Sequence, residues 1–212
     1  MARQTLLPTL LVTLVVTLLL GVAPGAASAE TMRLRAAVRS LPQAAETPAG
    51  YERDLFKHWI DADDDCQDTR EEVLIEESRV PIGGCTVTTG EWFSWYDHET
   101  WTQASDVDID HMVPLKEAWD SGARQWGDHR RERYANDLGD PRSLVAVTDN
   151  VNQSKGERDV AEWLPEFEVC RYVRHWVVVK LRWGLAVDPA ERTALLDLAR
   201  DCRNRRITFT RA

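Results

Sequence analysis

A short run of carboxylates with one imidazole occupies the middle of the chain, in the sequence DVDIDHMVP. Further along, the sequence NQSKG carries an amide at Asn152 and an amine at Lys155. A neutral imidazole such as that of His111 is suited to accept a proton from water near neutral pH. The oxygens of Asp110 and Asn152 are ligands that hard divalent cations prefer, and the Lys155 amine can hold a phosphate. These groups together predict a site that hydrolyses phosphodiesters.

Local structure has to bring these groups together. Sequence patterns predict a strand at 106–111, a strand at 144–147 and a helix from Asn150 onward. Asp110 and His111 are adjacent, so they point to opposite faces of a strand, and a distortion near Pro114 is needed to aim both at one phosphate. Asn152 and Lys155 are three residues apart and share a helical face. A strand pair followed by a helix is therefore the predicted scaffold.

The sequence DIDHMVPL, followed by N-x-x-K-G, resembles the HNH nuclease superfamily, which includes the HNH domain of RNA-guided CRISPR nucleases. From Tyr51 to Cys202 the chain is similar to secreted HNH-type proteins related to the DUF1524 domain at the C-terminus of GmrSD-type restriction enzymes. This similarity runs through HWIDAD, TREEVL, DIDHMVPLKEAWDSGA, RYANDL, NVNQSKGERD, AEWLP and VKLRW.

The resemblance implies an α+β fold in which a ββα-metal (HNH, or His-Me finger) core, at about residues 104–160, is embedded in additional helices. It implies a single nuclease domain over 51–212, which we expect to be a monomer. The activity implied is that of a divalent-metal-dependent endonuclease acting on DNA, with RNA as the less favoured substrate.

The resemblance also implies a role for each motif residue. His111 would be the general base, and Asp110 and Asn152 would hold one Mg²⁺ or Mn²⁺ ion. Lys155 would support the phosphate or the local fold, and Asp108 would lie behind the metal ligands.

One position departs from the pattern of this superfamily. Many HNH proteins carry an asparagine at the start of the second strand, where it orients the histidine, but this chain has Ser143 there. Asn136, in the connecting segment, is expected to substitute. The departure leaves an alternative function open, in which the protein is a non-catalytic extracellular module that binds calcium or nucleic acid and retains the HNH fold.

The N-terminus has the layout of a secretory signal peptide over residues 1–29. Arg3 precedes a nearly continuous apolar run from Leu6 to Val22, and Ala27-Ser28-Ala29 offers a cleavage site. A membrane anchor is the alternative, although the run is at the short end of what spans a bilayer. We therefore expect an extracellular protein without membrane association after cleavage. Residues 30–50 contain Ala, Pro and Gly without periodicity and predict a flexible leader.

Four cysteines follow this N-terminal segment, an even number that suits two disulfides in an exported protein. Three pairings are possible. We favour Cys66–Cys85 and Cys170–Cys202 because each closes a local loop. A four-cysteine zinc site is the alternative, but the chain lacks the close Cys-x-x-Cys pairs typical of such sites.

An acidic loop between 61 and 72 resembles a calcium-binding loop. Its carboxylates occupy positions 1, 3, 5 and 12 of an EF-hand-like pattern, at Asp61, Asp63, Asp65 and Glu72. Position 6, which should be glycine for the sharp turn, is Cys66. Structural calcium and an ordinary solvated loop both remain open.

Charge is unevenly distributed along this chain of net charge −9. Residues 51–110 contain 17 acidic and 4 basic side chains, whereas residues 170–212 contain 10 basic and 4 acidic ones. The C-terminal part therefore offers either a basic face for phosphates or simply a solvated helix surface.

Further patterns predict the elements around the motif. We expect helices at 51–60, from a Thr69 cap paired with Glu72, at 115–119, at 130–135, at 176–183 and at 190–202, and a hairpin after Cys85. Trp59 falls in the apolar pattern of the first helix and is expected to lie in the core.

Overall fold

The computed structural model describes residues 28–212. Its strands are β1 (Glu30–Arg33), β2 (Thr89–Phe93), β3 (Thr100–Gln103), β4 (Val107–His111), β5 (Leu144–Thr148) and β6 (Arg206–Phe209). Its α-helices are α1 (Leu34–Ser40), α2 (Thr69–Glu77), α3 (Leu115–Asp120), α4 (Asp128–Ala135), α5 (Asp149–Lys155), α6 (Val169–Trp183) and α7 (Pro189–Asp201). The predicted mixture of helices and strands is confirmed. The proposed signal peptide lies almost wholly outside the described residues.

The pair β4–β5 is antiparallel, and α5 follows β5 without a loop. The register places Asp110 opposite Val145 and His111 opposite Leu144. The sheet lies between two apolar clusters: Val145 and Val147 pack into the larger one, and Ile109 with its neighbours packs into the smaller one. Because both faces of the sheet are covered, the strand that ends at His111 is held rigidly.

The expected flexible leader over residues 30–50 is wrong for residues 30–44. Residues 30–33 form β1, which pairs with β6 so that Glu30 lies opposite Phe209. Helix α1 then buries Leu34, Ala37 and Val38 completely in the larger apolar cluster. The segment 30–44 is therefore part of the folded domain, because its apolar residues and its strand edge find partners near the C-terminus.

The predicted helix over 51–60 is also wrong. Only a single 3₁₀ turn forms, at Arg53–Leu55, and the chain then buries Phe56 and turns sharply. Trp59 has a φ of +57°, in the left-handed region, which ends any helix there. Helix α2 begins at Thr69 as expected, but its cap is the Asp68 carboxylate, which accepts hydrogen bonds from the backbone N–H groups of Arg70 and Glu71.

Both favoured disulfides are present. Cys66–Cys85 ties the acidic loop before α2 to the loop before β2, and Cys170–Cys202 joins the start of α6 to the end of α7. Within residues 28–212, no helix combines the length and the apolar character needed to span a bilayer.

Candidate active site

The D-x-D motif of β4 meets the N-x-x-K motif of α5 in two cross-links. Alternate residues of a strand share a face, as do residues three apart in a helix, so both motifs present a pair of side chains. Asn152 Nδ2 donates to Asp108 Oδ2 over 3.1 Å, and Lys155 Nζ donates to both oxygens of Asp110, over 2.7 and 2.6 Å. The spacing of the motifs is thus explained by the contact between one strand face and one helix face.

Lys155 is completely buried, and its ammonium group is surrounded by hydrogen-bond acceptors. Besides Asp110, its ammonium group donates to the backbone carbonyls of His111 and Met112, over 2.9 and 3.0 Å. Burial lowers the pKa of Lys155 and raises that of Asp110, and the charge of each partner opposes the shift of the other. Of the two roles expected for Lys155, these contacts favour support of the local fold over binding of phosphate, because the side chain locks the end of β4.

Asp110 has a second partner that the sequence did not indicate. The Tyr96 hydroxyl donates to Asp110 Oδ2 over 2.6 Å, and burial holds the pKa of Tyr96 well above its usual value, so that it remains a donor. Each carboxylate oxygen can accept two bonds, so Oδ1, which within residues 28–212 accepts only from Lys155, retains capacity for one more ligand.

Asn152 is oriented by Asp108. An ionised carboxylate only accepts hydrogen bonds, so the amide must turn its Nδ2 toward Asp108, and its Oδ1 then points elsewhere. Among residues 28–212, no group donates to that Oδ1. An amide oxygen and a carboxylate oxygen thus remain available on one helix–strand contact, and this hard oxygen pair fits a divalent ion such as Mg²⁺ or Mn²⁺.

His111 is held in one tautomer. Its Nε2 lies 2.9 Å from the carbonyl oxygen of Ala135, which has no hydrogen to give, so Nε2 carries the proton and Nδ1 keeps a free lone pair. Burial lowers the pKa of His111 to about 3, the hydrogen bond to Ala135 opposes that shift, and the nearby positive charge of Arg53 adds to it. The imidazole is therefore neutral at physiological pH.

Neither Asn136 nor Ser143 forms a hydrogen bond with His111. Asn136 instead bonds to backbone groups of Lys57, Ile60 and Glu132, and Ser143 Oγ donates to Asp137 over 2.7 Å. The hydrogen bond between the connecting segment and the imidazole is instead the one that the Ala135 carbonyl accepts. Asp137 fixes this segment by accepting further hydrogen bonds from the side chains of Arg182 and Trp183 on α6.

One cleft collects the motif residues. Its volume is about 160 Å³, and its walls include Asp110, His111 and Asn152. Sequence reasoning missed two charged residues of this wall, Arg53 and Glu157, which form a loose ion pair of 3.6 Å between largely exposed side chains. Arg53 comes from the 3₁₀ turn, a segment whose approach to the cleft has no local sequence signal.

The acidic loop brings three of its four expected ligands together. One carboxylate oxygen from each of Asp61, Asp63 and Asp65 lies within 4.8 Å of the others. Burial and the negative charges of Asp63, Asp65 and Asp61 raise the pKa of Glu72. The Glu72 carboxylate therefore lies within the electrostatic field of these three aspartates. The three aspartates are exposed, and Asp61 already accepts hydrogen bonds from the backbone N–H groups of Asp65 and Cys66. Calcium binding at this loop stays a prediction.

Comparison with known proteins gives two matches. Residues 81–198 match the family described as GmrSD restriction endonucleases, C-terminal domain. An uncharacterized secreted protein of Arthroderma benhamiae is 45% identical over 183 residues, which cover 84% of this chain and 87% of that protein. No solved structure matches. The matched family region contains the whole β4–β5–α5 unit and the cleft residues from Ile109 to Glu157, and the chain therefore belongs to the family of GmrSD restriction endonuclease C-terminal domains.

Proposed function

We propose that this protein is a metal-dependent endonuclease that hydrolyses phosphodiester bonds of DNA, with β4, β5 and α5 as a ββα-metal centre. One observation carries this proposal: a neutral imidazole with a free Nδ1 lies in the same cleft as a carboxylate and an amide that suit a divalent cation. The family description, restriction endonucleases, supports phosphodiester hydrolysis as the reaction and DNA as the substrate.

The roles follow from the geometry of the cleft. His111 Nδ1 accepts a proton from the water that attacks phosphorus, while Nε2–H stays bonded to the Ala135 carbonyl and stabilises the imidazolium that forms. The P–O bond to the leaving sugar oxygen breaks, and that oxygen takes a proton from solvent. Asp110 and Asn152 would hold a divalent ion, which when bound supplies positive charge to the phosphate oxygens. Asp108 orients the Asn152 amide so that its Oδ1 is available to the ion.

Arg53 is better placed than Lys155 to bind the phosphate. Lys155 is completely buried, whereas Arg53 lies on the cleft wall with its side chain 52% exposed. Its contact with Glu157, at 3.6 Å, is long for a charge-assisted hydrogen bond and weak in water. A planar guanidinium with such a weak partner is suited to bind a phosphate beside His111.

A basic surface supports the choice of a nucleic acid as substrate. The Cys170–Cys202 disulfide brings the start of α6 beside the segment that follows α7, with Cα atoms 5.6 Å apart. These two segments carry five arginines, which we call the arginine face: Arg171 and Arg174 on α6, and Arg203, Arg205 and Arg206 after α7. Burial lowers the pKa of Arg174, and Arg205 and Arg171 lie close enough for their positive charges to lower it further. Within residues 28–212, none of these five forms a salt bridge, although the protein is acidic overall. An unpaired cluster of this kind fits a polyanion.

Export is the final part of the proposal. The apolar N-terminal run, two disulfides and a relative described as secreted all support an extracellular protein. Extracellular nucleic acid is then the substrate.

The test is cleavage of supercoiled plasmid by purified protein in Mg²⁺ or Mn²⁺, with EDTA as the blank and a single-stranded RNA run in parallel. We expect nicking and linearisation that EDTA abolishes and that His111→Ala lowers at least about 100-fold. His129→Ala, a change at an exposed histidine of α4, is the matched control and should cleave normally.

Two outcomes would refute the proposal. If the wild-type protein leaves DNA intact with every divalent ion, the non-catalytic extracellular module becomes the better interpretation. If the His111→Ala protein cleaves as fast as the wild type, the activity belongs to a contaminant or to another site. Cleavage of RNA alone would correct the substrate and keep the mechanism.

A further inference from the structure

The imidazole plane of His111 is fixed by an aromatic neighbour. The Trp59 ring stacks on the His111 ring with centroids 5.4 Å apart and planes 26° from parallel. The hydrogen bond from Nε2 to the Ala135 carbonyl fixes the position of one nitrogen but leaves the ring free to tilt about that bond. Stacking removes the remaining freedom, so the two contacts together determine where the free Nδ1 points.

Trp59 reaches this position through an unfavourable backbone conformation. Its φ of +57° is in the left-handed region, which residues with a Cβ rarely adopt. Such a conformation persists only where the surroundings hold it, and it concentrates at functional sites. Trp59 is half-buried, so core packing alone does not account for it.

Asn136 holds the backbone on both sides of Trp59. Its Nδ2 donates to the Lys57 carbonyl over 2.8 Å, and its Oδ1 accepts a hydrogen bond from the Ile60 N–H over 3.3 Å. A third bond, from Nδ2 to the Glu132 carbonyl over 2.8 Å, anchors the amide to α4. The side chain therefore stabilises the segment whose strained residue stacks on His111.

We infer that Trp59 and Asn136 are positioning residues for His111, acting with the neighbouring Ala135 carbonyl as one clamp on the imidazole. The backbone of residue 135 holds the edge of the ring, and the side chain of residue 136 holds the segment that covers its face. This inference rests on the proposed function, since it concerns the proposed base. It also gives Asn136, in the connecting segment, a role in orienting His111 although the two side chains share no hydrogen bond.

The clamp has a spectroscopic test that needs no activity. In protein labelled with ¹³C-histidine, the His111 signal, identified by its loss in His111→Gln, should be shifted upfield by the ring current of Trp59. We expect Trp59→Leu to abolish the upfield shift and Trp59→Phe to retain most of it. Trp126→Leu, at another half-buried tryptophan, should leave the signal unchanged.

Kinetics then separate positioning from general destabilisation. In folded protein, Trp59→Leu and Asn136→Ala should lower kcat between about 10- and 100-fold with KM unchanged within twofold, and Trp59→Phe should restore most of kcat. Trp126→Leu, which removes a similar ring elsewhere, should leave kcat unchanged.

The results that would overturn the inference are specific. A His111 signal without an upfield shift in the wild-type spectrum refutes the stacking, whether or not any variant folds. An equal loss of kcat in Trp126→Leu would mean that the loss in Trp59→Leu comes from general destabilisation of the protein. Absence of nuclease activity in the wild type refutes the proposed function but leaves the stacking to be decided by the spectrum.

Discussion

Replacement of Lys155 by methionine separates a structural role from a catalytic one. Methionine keeps much of the apolar length of lysine but removes a charge that contacts four oxygens, all within 3.0 Å and all shielded from solvent. Asp110, only 4% exposed, would then keep the Tyr96 hydroxyl as its remaining partner.

The size of the effect follows from this burial. Breaking a buried ion pair by removing one partner costs about 3–5 kcal/mol, because the other charge stays buried without compensation. For a domain of this size, that corresponds to a fall in Tm of about 6–20 °C. A loss of this magnitude is a large fraction of the stability of a typical domain, which is about 5–15 kcal/mol.

The assay is urea unfolding followed by tryptophan fluorescence and far-UV circular dichroism. Arg53→Met is the matched control: its ion pair with Glu157 is exposed, so we expect a loss of stability below about 1 kcal/mol. The double variant Asp110→Asn/Lys155→Met should be more stable than Lys155→Met, since it removes the stranded charge as well.

Two results would refute this reasoning. A Lys155→Met protein as stable as the wild type, with weakened binding of DNA, would mean that the amine faces the substrate. A double variant less stable than Lys155→Met would mean that the two residues do not act as a pair.

Other consequences can be measured separately. Arg53→Ala should weaken DNA binding at least about tenfold, measured by fluorescence anisotropy in Ca²⁺ with its folding checked by circular dichroism, and unchanged affinity would remove Arg53 from the cleft mechanism. The arginine face can be tested with the triple variant Arg203→Ala/Arg205→Ala/Arg206→Ala, by measuring Kd for DNA at several salt concentrations. The slope of log Kd against log salt concentration should fall by about 0.9 for each phosphate that the protein no longer neutralises. An unaltered slope would exclude the arginine face from DNA binding. Burial, together with the positive charges of Arg171, Arg142 and Arg174, lowers the pKa of His175 to about 3, so the unfolded chain binds a proton there more readily than the native protein. The free energy of unfolding should therefore fall as pH drops from about 6.5 toward 3, and less steeply in His175→Gln; identical pH profiles would contradict that assignment.

The sequence predicted those parts of the molecule that depend on short-range patterns. The D-x-D-H and N-x-x-K motifs determined which faces of β4 and α5 meet, and the cysteine spacing favoured the pairing that the structure has. Helix α6 begins seven residues before the predicted 176–183, and α7 is shifted by one residue from the predicted 190–202, but their apolar periodicity located them.

Interactions made by the backbone or between distant segments were not predictable. The acceptor for His111 is a carbonyl, which every residue carries, so no residue type at position 135 could have indicated it. The apolar character of tryptophan predicts a core position for Trp59, and neither its strained backbone nor its stack on His111 has a local signal. The charge of Lys155 suggests exposure and phosphate binding, whereas its depth depends on the packing of α5 against β4.

The pairing of β1 with β6 has a consequence for biosynthesis. Residues 30–33 leave the ribosome long before their partners at 206–209. At about 5–20 residues per second, translation of the intervening 172 residues takes roughly 10–35 s, during which the first strand has an open edge. An open edge attracts other extended chains, so a holdase chaperone that covers this segment would raise the yield of native protein more than one that binds the already closed β4–β5 pair.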